Sequence, residues 1–238
     1  MPQAPAPPIE PPESHARFPD PLELGSDELV GVTRTLTPGM VLQAYRQGIF
    51  PWPVRQGVVP WASPDPRAHF PLWPDRPWPR TVRRALARGF SVTVDQSFEQ
   101  VLRRCGETRA EGTWITPDIV STYCELHRLG WAHSIEVRRD ERLLGGLYGL
   151  AVGGLFAGES MFHLETDASK VAFAATAQLL RAGGFQMFDV QVLSGHLSSL
   201  GCVTAPRRQF LADLPAVLAV KARWPASAPK DEAPGPGS

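Results

Sequence analysis

Apolar residues in this chain recur at two spacings, and the switches between them mark its elements. Thr37-Pro38 reads as an N-cap followed by a first-turn proline. Met40, Val41, Ala44 and Tyr45 then form a stripe at helical spacing, which Gly48 ends. Helices are likewise expected over Arg80–Arg88, between Pro79 and Gly89, and from Ser97 through Phe98, Val101, Leu102 and Cys105. Two more run from Thr116-Pro117-Asp118 to about Arg128, and over Ala168–Ala182, ended by Gly183-Gly184. Two-residue alternation predicts strands over Phe90–Val94, Ser134–Arg139, Arg142–Val152, Leu155–Phe162 and Phe185–Leu193. Asp140-Glu141 and Gly153-Gly154 suit tight hairpin turns. A meander, then a helix, then a strand predicts an α+β domain on a mainly antiparallel sheet.

Residues 1–21 hold eight prolines and few apolar anchors, which predicts a disordered Pro-rich extension. Residues 22–64 form a small N-terminal domain containing the aromatic-proline segment Ile49–Pro53, and residues 65–224 form the main domain. Residues 225–238, rich in Pro, Ala, Gly and Ser, read as a disordered tail.

With 238 residues and 43% hydrophobic content the chain can bury a substantial core. Lys+Arg and Asp+Glu balance at 24 each, so any surface for a polyanion has to be local. Cys105, Cys124 and Cys202 form no CxxC pair, which argues against a disulfide framework or a zinc site and for a reducing, cytoplasmic compartment. The start lacks the basic-then-apolar build of a signal peptide. The longest uncharged run, Leu143–Gly158, is too short to span a membrane, and its six glycines point to strands.

Against this background the carboxylates inside apolar strands need explaining. Alternation puts Phe185, Met187, Asp189, Gln191 and Leu193 on one face of the last long strand. Asp189 and Gln191 would then be neighbours able to hold a substrate amine, or a buried polar pair satisfied by loops. Glu159, after Gly158, raises the same question, with a structural link to an arginine as its plainer reading. Trp52, Trp61 and Trp114 lie in proline- or glycine-marked segments, where aromatic rings stack bases or pin loops to the core. Arg80, Arg83, Arg84 and Arg88 cluster on one helix with no acid between them, as a phosphate contact or as a solvated face.

Motifs of several other chemistries are missing: HExxH, the GxSxG elbow, and the Walker and Rossmann glycine patterns. The helix after Phe162 opens Thr166-Asp167-Ala168-Ser169-Lys170, without a glycine-rich loop to seat a pyrophosphate, and Asp167 would repel one. An acyl-CoA N-acetyltransferase is therefore the second reading, and a non-catalytic RNA-binding module the third.

One resemblance covers the chain from about Thr33 to Leu214. YRQGIFPW (Tyr45–Trp52), WASPDPR (Trp61–Arg67), GTWIT (Gly112–Thr116), HSIEV (His133–Val137) and GGLYG (Gly145–Gly149) occur in order. GESMF (Gly158–Phe162), ASK (Ala168–Lys170), Asp189–Leu193 with His196, Ser199-Leu200-Gly201 and Pro206-Arg207-Arg208 follow. Together they resemble the leucyl/phenylalanyl-tRNA–protein transferases. The resemblance implies a GNAT-like (N-acetyltransferase-like) C-terminal domain behind a small N-terminal one, no cofactor, and no need for more than a monomer. It implies transfer of Leu or Phe, with Met as a further substrate, from aminoacyl-tRNA to the α-amine of proteins beginning with Lys or Arg, marking them for N-end-rule degradation. Asp189 and Gln191 would be catalytic with Glu159 supporting them, and Trp61 and Trp114 would flank the terminal adenosine. Leu147, Phe156, Phe173, Leu180 and Phe188 would line the side-chain pocket, and Phe188 would need a twist or bulge to reach it. His163 and Ser194 depart from the family's usual Ser and Asn.

Overall fold

The computed structural model describes residues 7–25, 27–52, 57–73, 77–107 and 115–227. It is a mixed α+β structure with two sheets. β1 (Leu29–Thr33), β2 (Phe50–Pro51) and β3 (Val59–Ala62) form a small antiparallel sheet in the order β1-β3-β2, with α1 (Pro38–Tyr45) between β1 and β2. Thr37 caps α1 as expected, its hydroxyl accepting the Met40 N–H at 3.3 Å.

The chain enters a larger sheet at β4 (Arg67–Phe70) and continues through α2 (Arg80–Leu86), β5 (Ser91–Val94), α3 (Phe98–Glu107) and α4 (Pro117–Arg128). The meander β6 (Ala132–Arg139), β7 (Arg142–Val152) and β8 (Leu155–His163) follows the expected pattern, as does α5 (Ala168–Ala182). Then come β9 (Met187–Gln191), α6 (Gly195–Leu200), β10 (Val203–Ala205) and α7 (Arg207–Leu218). The strand order is β10-β4-β9-β8-β7-β6-β5, and every neighbouring pair is antiparallel except β8–β9. Parallel neighbours need a crossover, and α5 supplies it.

The large sheet separates two apolar cores. On one face the small sheet and α1 pack with α3 and α4 through Tyr45, Trp61, Phe98, Tyr123 and Tyr148. On the other, α2 and α5 pack through Val82, Phe173 and Leu180 against Phe70, Phe156 and Phe188. α5 lies very close to the sheet: a Cβ at Gly145 would come within 2.6 Å of the Ala168 Cβ.

The described part of the N-terminal segment, whose prolines predict a loose extension, makes specific contacts with the rest of the chain. The Ile9 N–H donates to the Leu129 carbonyl at 2.8 Å, and the Ile9 carbonyl accepts the Trp131 indole N–H at 2.8 Å. Phe18 meets Trp61 edge-on at 4.9 Å between ring centroids. Proline removes an N–H, but its neighbours' carbonyls and apolar rings still dock where a fixed surface meets them. Of the tail expected after Pro225, residues beyond Ser227 lie outside the described residues.

Candidate active site

Two irregularities on neighbouring strands build the site. Along β7 and β8, Tyr148 pairs with Ser160 but Gly149 pairs with Gly158, leaving Glu159 as the extra residue of a β-bulge. Along β4 and β9, His69 pairs with Asp189 but Ala68 with Gln191, so Val190 is extra there too. Gln191 has φ 60°, the left-handed region, which breaks the two-residue alternation. β8 and β9 pair in parallel only as far as Ala157–Asp189. Directly beyond that rung lies a cavity of about 410 Å³ whose walls include Glu159, Met161, Val190 and Gln191.

The bulge corrects the face assignment of the last strand. Phe188, Val190 and Gln191 line the cavity, whereas Asp189 does not. Leu147 and Phe173 complete the apolar wall with Phe188, and Phe50, Trp52 and Leu197 stand around the same space. Gly158 makes room for this arrangement, because a Cβ there would sit 2.9 Å from Phe188 Cε2. Phe156 and Leu180 stand behind the wall: Phe156 meets Phe188 at 5.6 Å between centroids, and Leu180 is buried in the same core. Ser194, His196 and Leu197 reach the cavity from the start of α6, which was not expected as a helix. Ser194 caps it by accepting the Leu197 N–H at 3.2 Å, a task that Ser performs about as well as Asn. His163 is exposed, its Nδ1 3.4 Å from the Ser169 hydroxyl.

Glu159 is held by two tyrosines from separate helices. Tyr45 of α1 and Tyr123 of α4, both fully buried, donate their hydroxyls to the same oxygen, Oε1, Tyr123 at 3.0 Å. Burial pushes the Glu159 carboxyl up to about 7, against the opposing pull of the two tyrosine hydrogen bonds. The nearby Asp189 adds to the rise and Arg67 opposes it. Both tyrosines are held well above the usual phenol range, first by burial and then by the Glu159 charge. A cavity-lining carboxyl poised near neutral pH has the property required of a general base.

Asp189 occupies a different environment. It is wholly buried and clasped by Arg67, Nε to Oδ1 at 2.8 Å and Nη2 to Oδ2 at 2.6 Å. Arg67 also donates to the Gly48 carbonyl at 3.0 Å and lies between the Phe50 and Phe210 rings. Asp189 Oδ1 in turn accepts the backbone N–H of Gln191 at 3.0 Å, which supports the left-handed turn there. The Gln191 side-chain nitrogen is buried and has no partner among the described residues, leaving a donor at the cavity wall.

The remaining expected residues are dispersed. Trp61 is 0% exposed, donates its indole N–H to Thr33 at 2.9 Å and belongs to the core, so it presents no face to a base. Trp114 lies outside the described residues. The tryptophan that lines the cavity is Trp52, whose proline-rich setting marks it as a loop aromatic. Arg80, Arg83 and Arg84 are exposed on α2. Arg88 is already committed, to Glu165 at 3.0 Å and Asp167 at 3.2 Å.

A larger cavity, about 550 Å³, lies at the β6–β7 hairpin and contains none of the expected site residues. It is lined by charged side chains that include the Arg139–Glu165 pair. Among the described residues no group of three or more His, Cys, Asp or Glu could hold a metal ion, and no helix is long and apolar enough to cross a membrane.

Comparison with known proteins identifies the family. The family described as leucyl/phenylalanyl-tRNA protein transferase matches residues 75–215, and its N-terminal domain matches residues 34–65. The leucyl/phenylalanyl-tRNA–protein transferase of Shewanella denitrificans is 44% identical over 203 residues, covering 85% of each chain. That of Syntrophobacter fumaroxidans is 47% identical over 190 residues, covering 78% of this chain and 80% of its own. That of Anaeromyxobacter dehalogenans is 44% identical over 235 residues, covering 93% of this chain and 95% of its own. These matches lead to one conclusion: the chain belongs to the leucyl/phenylalanyl-tRNA–protein transferase family and is an aminoacyltransferase.

Proposed function

We propose that this enzyme moves Leu or Phe, and more weakly Met, from aminoacyl-tRNA to the N-terminal α-amine of proteins beginning with Lys or Arg, marking them for N-end-rule degradation in the cytoplasm. The observation that carries this reading is the pairing, across one apolar cavity, of a carboxyl near neutral pKa with an unpaired amide donor, Glu159 and Gln191. An apolar wall of Leu147, Phe173 and Phe188 suits a Leu or Phe side chain and penalises polar ones; it separates Met from Leu only modestly.

The chemistry needs little more. The ester of an aminoacyl-tRNA is already activated, and an α-amine with a pKa of roughly 7.7–8.0 is partly neutral near physiological pH. The amine nitrogen attacks the ester carbonyl, the Gln191 amide donates to the oxyanion, and Glu159, anchored through Oε1, takes the amine proton on Oε2. Collapse forms the peptide bond, breaks the ester C–O bond and returns the proton to the departing ribose hydroxyl. Holding amine and ester together contributes several kcal/mol more. Asp189, with both oxygens engaged by Arg67, acts as the clamp that orients Gln191.

Trp52 is the tryptophan at the cavity that suits stacking on the terminal adenosine. The exposed Arg80, Arg83 and Arg84 suit the tRNA phosphates. The separation of β8 from β9 beyond Ala157 and Asp189 supports reading the large domain as GNAT-like. An acyl-CoA donor is disfavoured by Asp167, whose carboxylate stands at the start of α5 and is held below its usual range, chiefly by Lys170.

The test is to incubate the protein with leucyl-tRNA, acetyl-CoA and a peptide beginning with Arg, beside the same peptide N-acetylated. Addition of one Leu to the free peptide alone is expected. Consumption of acetyl-CoA without transfer of Leu would overturn the proposal.

A further inference from the structure

Residues 9–18 cross both helices that bring a tyrosine to Glu159. Ile9 is bound at the end of α4, between the Leu129 carbonyl and the indole N–H of Trp131, both at 2.8 Å. Glu10 pairs with Arg46, the residue that ends α1, at 2.6 Å, and the Arg46 guanidinium lies over the Trp131 ring. Pro12 then lies against α1 at Gly39, where a Cβ would collide with the Pro12 carbonyl oxygen. Further on, Gln43 of α1 donates to the Ala16 carbonyl at 2.8 Å, and Phe18 closes against Trp61 of β3. One extended segment therefore grips α4, α1 and β3 in turn. It lies outside the stretches that match the family, residues 34–65 and 75–215.

We propose that residues 9–18 are a clamp that sets α1 against α4, and so sets the two-tyrosine grip on Glu159, which makes Gly39 and Trp131 positioning residues for the reaction. The activity arm of this proposal rests on the function proposed above; the docking itself does not. Glycine within a helix costs conformational freedom, and the close approach of Pro12 gives Gly39 its use. The exposed Glu10–Arg46 pair adds little on its own, so the buried Trp131 contact and the fit at Gly39 carry the docking. The groups that face Glu159 are Tyr45 from α1, Tyr123 from α4, Arg67 from β4 and Asp189 from β9.

Gly39→Ala separates the clamp from the helix it holds, because alanine favours α1 itself while leaving no room for Pro12. Trp131→Phe removes one indole N–H and keeps an aromatic ring, which serves if the first variant folds poorly. In either variant trypsin should cut after Arg17 faster than in the wild type. The titration midpoint of Glu159, read as the infrared carboxyl band that Glu159→Gln abolishes, should rise, since the tyrosine hydrogen bonds that lower it are weakened while its burial remains. The rate of Leu transfer at saturating leucyl-tRNA should fall by about tenfold, as loss of one positioned hydrogen bond would give, with the KM for tRNA unchanged. A segment made sensitive to trypsin with an unmoved Glu159 midpoint would overturn the clamp. If the wild type transfers no Leu, the proposed function fails, and cleavage and midpoint still decide the clamp.

Discussion

Arg67 and Asp189 form a fully buried bidentate pair, joined at 2.8 and 2.6 Å and closed off from the cavity that their neighbours line. Both carboxylate oxygens are engaged, and one also holds the Gln191 N–H. The residue that the strand pattern marked most strongly for chemistry is thus the anchor of its neighbour Gln191, which lines the cavity.

Removing one member of such a pair leaves an uncompensated buried charge. Asp189→Ala and Arg67→Ala should each cost about 3–5 kcal/mol of unfolding free energy, measured by urea denaturation. Replacing both together, Asp189→Leu with Arg67→Met, should recover much of that stability. Transfer should stay low in the double variant, because Gln191 has lost the acceptor for its N–H. A stable double variant with wild-type transfer would exclude the clamp role.

Glu159 also makes stability depend on pH. Its carboxyl is raised from 4.5 to about 7, so between those values the folded state binds a proton that the unfolded state has released. Stability from this group is therefore present below pH 4.5 and lost as pH rises to 7. Glu159→Gln removes that dependence. Relative to the wild type, the variant should gain about 3 kcal/mol on going from pH 4.5 to 7 and little above that, as read by denaturation at each pH.

These assignments show how far the pattern could be read. Strongly periodic elements were legible, as the capped helices α1 and α4, the uncapped α5 and the meander attest. Glu159, Gln191, Leu147, Phe173 and Phe188, which the ordered motifs grouped together, line one cavity. What escaped was set by contacts distant in sequence. The bulge at Val190 depends on pairing with β4, 122 residues before it as the Arg67–Asp189 bond spans them. β1 to β4 are short strands without clean alternation, and the docked N-terminal segment is recognised only by its partners. Trp52 and Trp61 have similar proline-rich neighbours, and burial alone separates them.

The two tryptophans should accordingly fail in different ways. Trp52→Ala should weaken binding of leucyl-tRNA by about 1–3 kcal/mol, the worth of one stacked base, with little change in stability. Trp61→Ala should cost about 3–5 kcal/mol of stability through the cavity it opens. Filter binding and denaturation of both variants check the distinction.

The arginines of α2 and Arg88 just beyond it should divide as well. Replacing Arg80, Arg83 and Arg84 with Ala should lower tRNA affinity and flatten its dependence on salt, by about 0.7–0.9 in logarithmic slope per lost phosphate contact. Arg88→Ala should leave the slope nearly unchanged, since its guanidinium is occupied by Glu165 and Asp167. Binding isotherms across salt concentrations measure both.

The most direct test of the account is single-turnover transfer of Leu from leucyl-tRNA to a peptide beginning with Arg, followed across pH 5 to 9 for the wild type and for Glu159→Gln. The account predicts that the wild-type rate rises through about pH 7, where Glu159 gives up its proton, and that the variant is slow and lacks that limb. A variant with wild-type rate and an unchanged pH profile would contradict it.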